Sequence, residues 1–213
     1  MARIENSHSP GAPRPLPQPR KSPRQARSQA MVEAILEATA RVLAERGYAG
    51  TNTNVVAERA GVSVGSVYQY FPNKDALVTA LHERHGAQMY AAIAAVLGDE
   101  RPDGLRGHVQ AMVRALLAAH RVAPELHRVL EKEFPFFDAP REQSPADGGI
   151  FRQVRQLLEA HRSEVAPADL DLATWMLLQT LESLVHAAVI DPPAMFAARA
   201  VEAAIVQVLM GYL

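Results

Sequence analysis

The chain has 213 residues, 48% of them hydrophobic, a formal net charge of −1 and no cysteine. That is enough apolar material for one compact fold or two small ones sharing a core, and the lack of thiols excludes a disulfide framework, thiolate metal sites and cysteine nucleophiles. With no run of about eighteen uncharged apolar residues, and a proline-rich basic start in place of an apolar leader, the sequence predicts a cytoplasmic protein with no membrane partner.

Charge is uneven along the chain. Residues 1–85 hold eleven Lys+Arg against seven Asp+Glu, or +4, and residues 86–213 hold eleven against sixteen, or −5. Residues 1–30 alone stand at +5, so attraction to phosphate has to come largely from the tail. That tail, residues 1–24, contains Pro10, Pro13, Pro15, Pro17, Pro19 and Pro23 and almost no large apolar residue. It is predicted to be a disordered arm. Arg20, Lys21, Arg24 and Arg27 suit a minor-groove contact and equally suit a solvated linker; the sequence leaves both open.

From Gln25 to Arg46, apolar positions at Ile35, Leu36, Val42 and Leu43 predict an amphipathic helix that Gly47 ends. Residues 51–74, TNTNVVAERAGVSVGSVYQYFPNK, then read as a helix-turn-helix. A hydroxyl cap at Thr53 starts one helix and Gly61 stops it. Ser63 caps a second, from Val64 to about Phe71, and so tight a turn makes the two cross steeply, the second suited to a major groove. Val67 and Phe71, four apart, are expected to anchor in the core. Val64, Gly65, Ser66, Tyr68, Gln69 and Tyr70 are left outward: glycine for close backbone approach, tyrosine for phosphate, Gln69 for a base edge. Lys74 falls in the first turn of the next helix, where the helix dipole disfavours a cation unless it serves an anion.

A helix from Asp75 to Leu97 follows, with His82 and His85 three apart. No third ligand stands near them in sequence, so they read as solvated helix histidines and no metal site is assigned. Further helices are expected over residues 105–121, 124–133, 150–165, 168–190 and 193–213, with a break at FPFFDAPREQSPADGG. The last two carry apolar stripes too broad for a surface helix, which implies burial against both the protomer and a second copy.

The stretch ILEATARVLAERGYAGTNTNVVAERAGVSVGSVYQYFPNKDALV resembles the DNA-binding domain of TetR-family transcriptional regulators, with its GY-x-GT turn, AGVS turn, VYQYF helix and NK-x-x-L. The resemblance covers residues 25 to about 80; the remainder fits by length and helical character. It implies an all-α protein with a three-helix helix-turn-helix domain over residues 25–74 and a C-terminal helical effector-binding and dimerisation domain over residues 75–213. The last two helices would form a four-helix bundle in a homodimer. A repressor released by an effector from a near-palindromic double-stranded operator is the function it implies.

The DNA-contact candidates are accordingly Thr53, Ser63, Val64, Gly65, Ser66, Tyr68, Gln69, Tyr70 and Lys74. The dimer candidates are Leu181, Leu184, Val201, Ile205, Val208 and Leu209. Large side chains in the acidic half, Met89, Met112, Phe134, Phe137, Phe151, Trp175 and Met176, either wall a pocket for a small apolar effector or simply fill the core. Catalysis finds no support. The Glu-x-x-His spacing of di-metal bundles occurs only at Glu5 to His8, there is no glycine-rich phosphate loop, and no cofactor is implied. The alternative is a helical adaptor using the same shape to bind protein; the polar outward set on the second helix, poor in apolar anchors, speaks against it.

Overall fold

The computed structural model describes residues 17–20, 26–98, 102–135, 145–191 and 195–213. Among them, nine α-helices follow in order: α1 (Ala26–Arg46), α2 (Thr53–Ala60), α3 (Val64–Tyr70), α4 (Lys74–Leu97), α5 (Gly104–His120), α6 (Pro124–Lys132), α7 (Pro145–Ala160), α8 (Leu170–Ile190) and α9 (Ala198–Tyr212). A single 3-10 turn, Arg162–Glu164, joins α7 to the approach of α8.

Local chemistry sets the first boundaries. Asn52, one residue ahead of the expected Thr53, caps α2, its side-chain oxygen accepting from the Asn54 and Val55 amides at 3.0 Å each. Gly61, at φ 67°, supplies the left-handed backbone that ends α2, and its amide bonds back to the last turn. Ser63 caps α3 through the Ser66 amide at 3.0 Å, and Asn73 caps α4 through the Ala76 amide at 2.9 Å. α7 starts at Pro145, five residues before the expected 150, because proline fits a helix start, where no amide donor is needed. α9 starts at Ala198 and not at Pro193, which lies outside the described residues.

Two apolar cores result, and they do not divide at residue 74. The first gathers Ile35 and Leu43 of α1, Val56 of α2, Val67 and Phe71 around α3, and Leu77 and Leu81 of α4. Leu126, Val129 and Leu130 of α6 and Phe134 beyond it complete it from the other half of the chain. Each such side chain contributes roughly 1.5–3 kcal/mol by leaving water, so α6 is energetically part of the N-terminal head. The second core joins Ile93 near the end of α4 to Leu105 and Met112 of α5, Leu158 of α7, Leu177 and Leu181 of α8, and Ile205 and Leu209 of α9. The 24-residue α4 therefore belongs to both; at 1.5 Å per residue it is about 36 Å long.

A second tie joins the halves at the α1–α2 turn. The Tyr48 amide donates to Glu133 Oε2 at 2.9 Å, and the Tyr48 and Phe134 rings lie 6.0 Å apart. Gly47, at φ 67°, brings its backbone so close that a Cβ there would sit 2.7 Å from Glu133 Oε2.

α8 has a mean hydropathy of 1.2 over its most apolar stretch, enough by length and composition for a membrane span. Its two faces account for that value. Leu170, Ala173, Leu177, Leu181 and Val185 fill the second core, while Leu172 and Trp175 stand exposed. α9 is divided in the same way. Ile205 and Leu209, expected at a dimer interface, are buried in their own protomer, as is Leu181; Val201 and Leu184 are half-buried against that core. The outward stripe is rotated from the expected one and runs through Ala200, Ala204 and Val208, spaced by four.

Candidate nucleic-acid interface

α3 is seven residues long, and its two faces separate cleanly. Val67, Tyr70 and Phe71 point into the first core, with Tyr70 only 4% exposed. The expectation that Tyr70 faces outward is thus corrected: a residue three from one inward anchor and adjacent to the next shares their side of a helix. Val64 is half-buried against the same core. Gly65, Tyr68 and Gln69 are exposed, and Ser66 is half-buried with its hydroxyl 2.8 Å from that of Ser63.

Gly65 has no reason inside the fold to be glycine. Its φ is not positive, and an added Cβ would meet only Ser63 Oγ at 3.7 Å, an ordinary contact. Its bareness leaves the backbone open to a close external surface. Tyr68 is held in place beside it: 42% exposed, it shares a 3.1 Å hydroxyl–hydroxyl bond with Thr53. Thr53, only 7% exposed, is a positioning residue in this arrangement and neither a cap nor an open contact.

Lys74 is placed differently from expectation. Its ammonium donates to the Tyr48 carbonyl at 3.1 Å and lies 4.0 Å from the centre of the Tyr48 ring. The Tyr48 hydroxyl in turn donates to the Asp75 carboxylate. Burial first, and the bond to Asp75 second, push the Tyr48 phenol up. Lys74 and Asp75 thus clamp the α1–α2 turn to the start of α4. Arg59 is likewise engaged, in a two-bond pair with Glu45 at 2.7 and 2.6 Å that joins α2 to α1. That hydrogen bond raises the arginine and lowers the carboxyl.

The exposed face of α3 carries no charge of its own; among the described residues, Arg20 brings a cation to its C-terminal end. Its amide donates to the Tyr70 carbonyl at 2.7 Å and its guanidinium reaches the Tyr68 carbonyl at 3.5 Å. A cation at a helix C-terminus is favoured by the dipole. Nothing in the sequence marks a contact spanning some fifty residues; Lys21 and Arg24 lie outside the described residues, and Arg27 is exposed on α1.

In the C-terminal half, the expected apolar wall is dispersed. Met112 is fully buried in the second core, Phe134 belongs to the first, and Trp175 is 52% exposed. Met89, Phe151 and Met176 are half-buried, and Phe137 lies outside the described residues. A cleft of about 430 Å³ lies instead between α6 and α8, lined by Glu131, Lys132, Gln179, Glu182, His186 and Asp191 among others. Its lining mixes apolar side chains, Ala187 and Ile190, with these charged and polar ones.

The histidines also differ from expectation. His85 of α4 meets His120 at the end of α5 and His127 of α6, with a ring nitrogen from each within 4.8 Å of the others. Ring centres are 4.0 Å apart for His85 and His127, 4.4 Å for His120 and His127, and 4.8 Å for His120 and His186. Burial first, and neighbouring imidazoles second, lower His85 and His127 to about 3. Burial lowers His120 and His186 as well. Nε2 of His85 and of His120 is buried with no hydrogen-bond partner, and each such group costs about 1–3 kcal/mol. His82 is not part of this group; the two residues that join His85 come from α5 and α6, which no local spacing connects to it.

Residues 35–81 match the family of bacterial regulatory proteins described as tetR family, and residues 105–213 match the tetracyclin repressor-like C-terminal domain. No curated protein matches the chain. Among solved structures, a TetR-family transcriptional regulator from Streptomyces coelicolor is 26% identical, with a TM-score of 0.61 over 87% of this chain and 97% of that one. The fatty acid degradation regulator FadR from Bacillus halodurans is 20% identical, with a TM-score of 0.62 over 89% and 97%. A protein of unknown function from Rhodococcus sp. RHA1 is 16% identical, with a TM-score of 0.66 over 86% and 95%.

Proposed function

Since the chain belongs to the TetR family and is therefore a non-enzymatic DNA-binding transcriptional regulator, we propose that it is a homodimeric cytoplasmic repressor released from its operator by a small-molecule effector. The observation that carries the DNA-reading part is Gly65, a glycine the fold does not need, flanked by the exposed Tyr68 and Gln69. Tyr68 and Ser63 supply phosphate contacts, Gln69 and Ser66 read base edges, and Arg20 adds the charge that α3 lacks.

The apolar surfaces on α8 and α9 support the dimer. Leu172, Trp175, Val208 and Tyr212 are exposed in a single copy, and a second copy would cover them by two-fold symmetry. Two α3 helices then meet two half-sites about one helical turn or a multiple apart, which makes the operator a near-palindrome. The effector fits best as a small neutral or cationic molecule in the α6–α8 cleft, where Ala187 and Ile190 offer apolar contact and Glu131, Glu182 and Asp191 outnumber Lys132. Such a molecule acts only by binding two arrangements of the heads unequally, and α6, packed in the first core, is the element that would report it.

The test selects genomic fragments by affinity for the purified protein and maps protection on the best of them. Two symmetric protected half-sites are expected, with a dimer in sedimentation. Val208→Glu, which places a charge on the exposed α9 stripe, should give a folded monomer with operator affinity reduced at least about tenfold. A single protected half-site bound by a monomer would overturn the reading, as would a Val208→Glu protein that remains dimeric.

A further inference from the structure

We propose that His85, His120 and His127 form a binding site for a divalent transition-metal ion, one that ties α4 to α5 and α6 at the boundary between the two cores. The donor set is three imidazoles from three helices, with ring nitrogens already within 4.8 Å of one another. A tetrahedral zinc-like site, with metal–nitrogen bonds of about 2.0–2.1 Å, holds its nitrogens roughly 3.3 Å apart. Side-chain rotations that carry each nitrogen about an ångström would close that gap.

The tautomer of His120 is set for ligation. Its Nδ1 lies 2.8 Å from the Leu116 carbonyl, which can only accept, so Nδ1 carries the hydrogen and Nε2 presents its lone pair. That Nε2 is buried and without a hydrogen-bond partner, and so is Nε2 of His85 on the facing helix. No carboxylate belongs to the triad, which disfavours magnesium and calcium and suits zinc, cobalt, nickel or copper. His186 stands behind His120, 4.8 Å between ring centres, with its Nδ1 3.5 Å from Glu131 Oε2. It is the nearest further imidazole on the side of the cleft.

Neutral histidines can also pack simply as aromatic rings, and that reading predicts no ion. The two are separated by titrating untagged, chelator-treated full-length protein with Co²⁺, followed by visible absorption and by melting temperature. Expected are one equivalent per chain, intense d–d bands of low coordination number, and a raised melting temperature. His120→Gln and His127→Gln should each weaken binding at least about tenfold, while the double variant His108→Gln/His161→Gln, altering another neighbouring pair, should leave it unchanged. Because a buried variant can misfold, X-ray absorption on the cobalt-loaded wild-type chain provides the check that needs no substitution, and at least three imidazoles should surround the ion. Absence of stoichiometric binding, a first shell without imidazole, or loss of binding in the His108/His161 variant overturns the site. None of these readouts involves DNA, so the result stands apart from the regulatory reading.

Discussion

The start and the middle of α4 illustrate different ways of building a site. Around Asn52, Gly61, Ser63 and Asn73, each helix boundary is set by a side chain or a glycine within three residues of the backbone it serves. At the histidine-lined junction, His85 and His120 are thirty-five positions apart and meet only because α4, α5 and α6 pack together. The first arrangement survives as a pattern in the sequence; the second exists only as a contact. Phe134 shows the consequence: a neighbour of the C-terminal helices in sequence, it is 4% exposed in the N-terminal core.

The strongest way to break this contrast is Phe134→Ala. If the head depends on a residue sixty positions beyond it, this change should cost about 3–5 kcal/mol in denaturant unfolding and weaken operator binding with it. Loss confined to the C-terminal half, with the head intact by hydrogen exchange, would return Phe134 to the second core. Next in size is Gly65→Glu. It should leave the melting temperature nearly unchanged, since a Cβ has room, yet reduce DNA affinity by about 100-fold, some 2.7 kcal/mol. A variant that still binds normally would mean that α3 does not approach the backbone there.

Smaller effects sharpen the local side. Gln69→Ala should relax preference at one operator position at a cost of roughly 1–3 kcal/mol, read from a panel of single-base variants. Lys74→Met separates the two readings of that residue. As a clamp on the Tyr48 turn it should lower stability by about 1 kcal/mol and leave the salt dependence of DNA binding unaltered. A salt slope reduced by about one unit at unchanged stability would return Lys74 to a phosphate.

How far the site was legible follows the same division. Their spacing alone marks Val67 and Phe71 as anchors, and both are buried. Tyr70 turns inward against expectation because a seven-residue helix shows too little periodicity to say which of two tyrosines does so. The helix dipole points Lys74 toward a phosphate; the partner it has in the fold, the Tyr48 carbonyl and ring, lies across a turn twenty-six residues away. The sequence shows the α9 stripe but not its phase, since two broad apolar faces look alike until one is packed.

The sequence by itself determined the all-helical class, the helix-turn-helix and its capping residues, because those depend on interactions within a turn or two of backbone. Tertiary structure alone decided that α6 completes the N-terminal core, that Ile205 and Leu209 face inward while Val208 faces out, and that three distant histidines share one buried point. Those outcomes depend on which surfaces become neighbours once the chain has collapsed. Side-chain burial rewards apolar area without specifying its partner, so the pattern could show that a face would be covered but not by what.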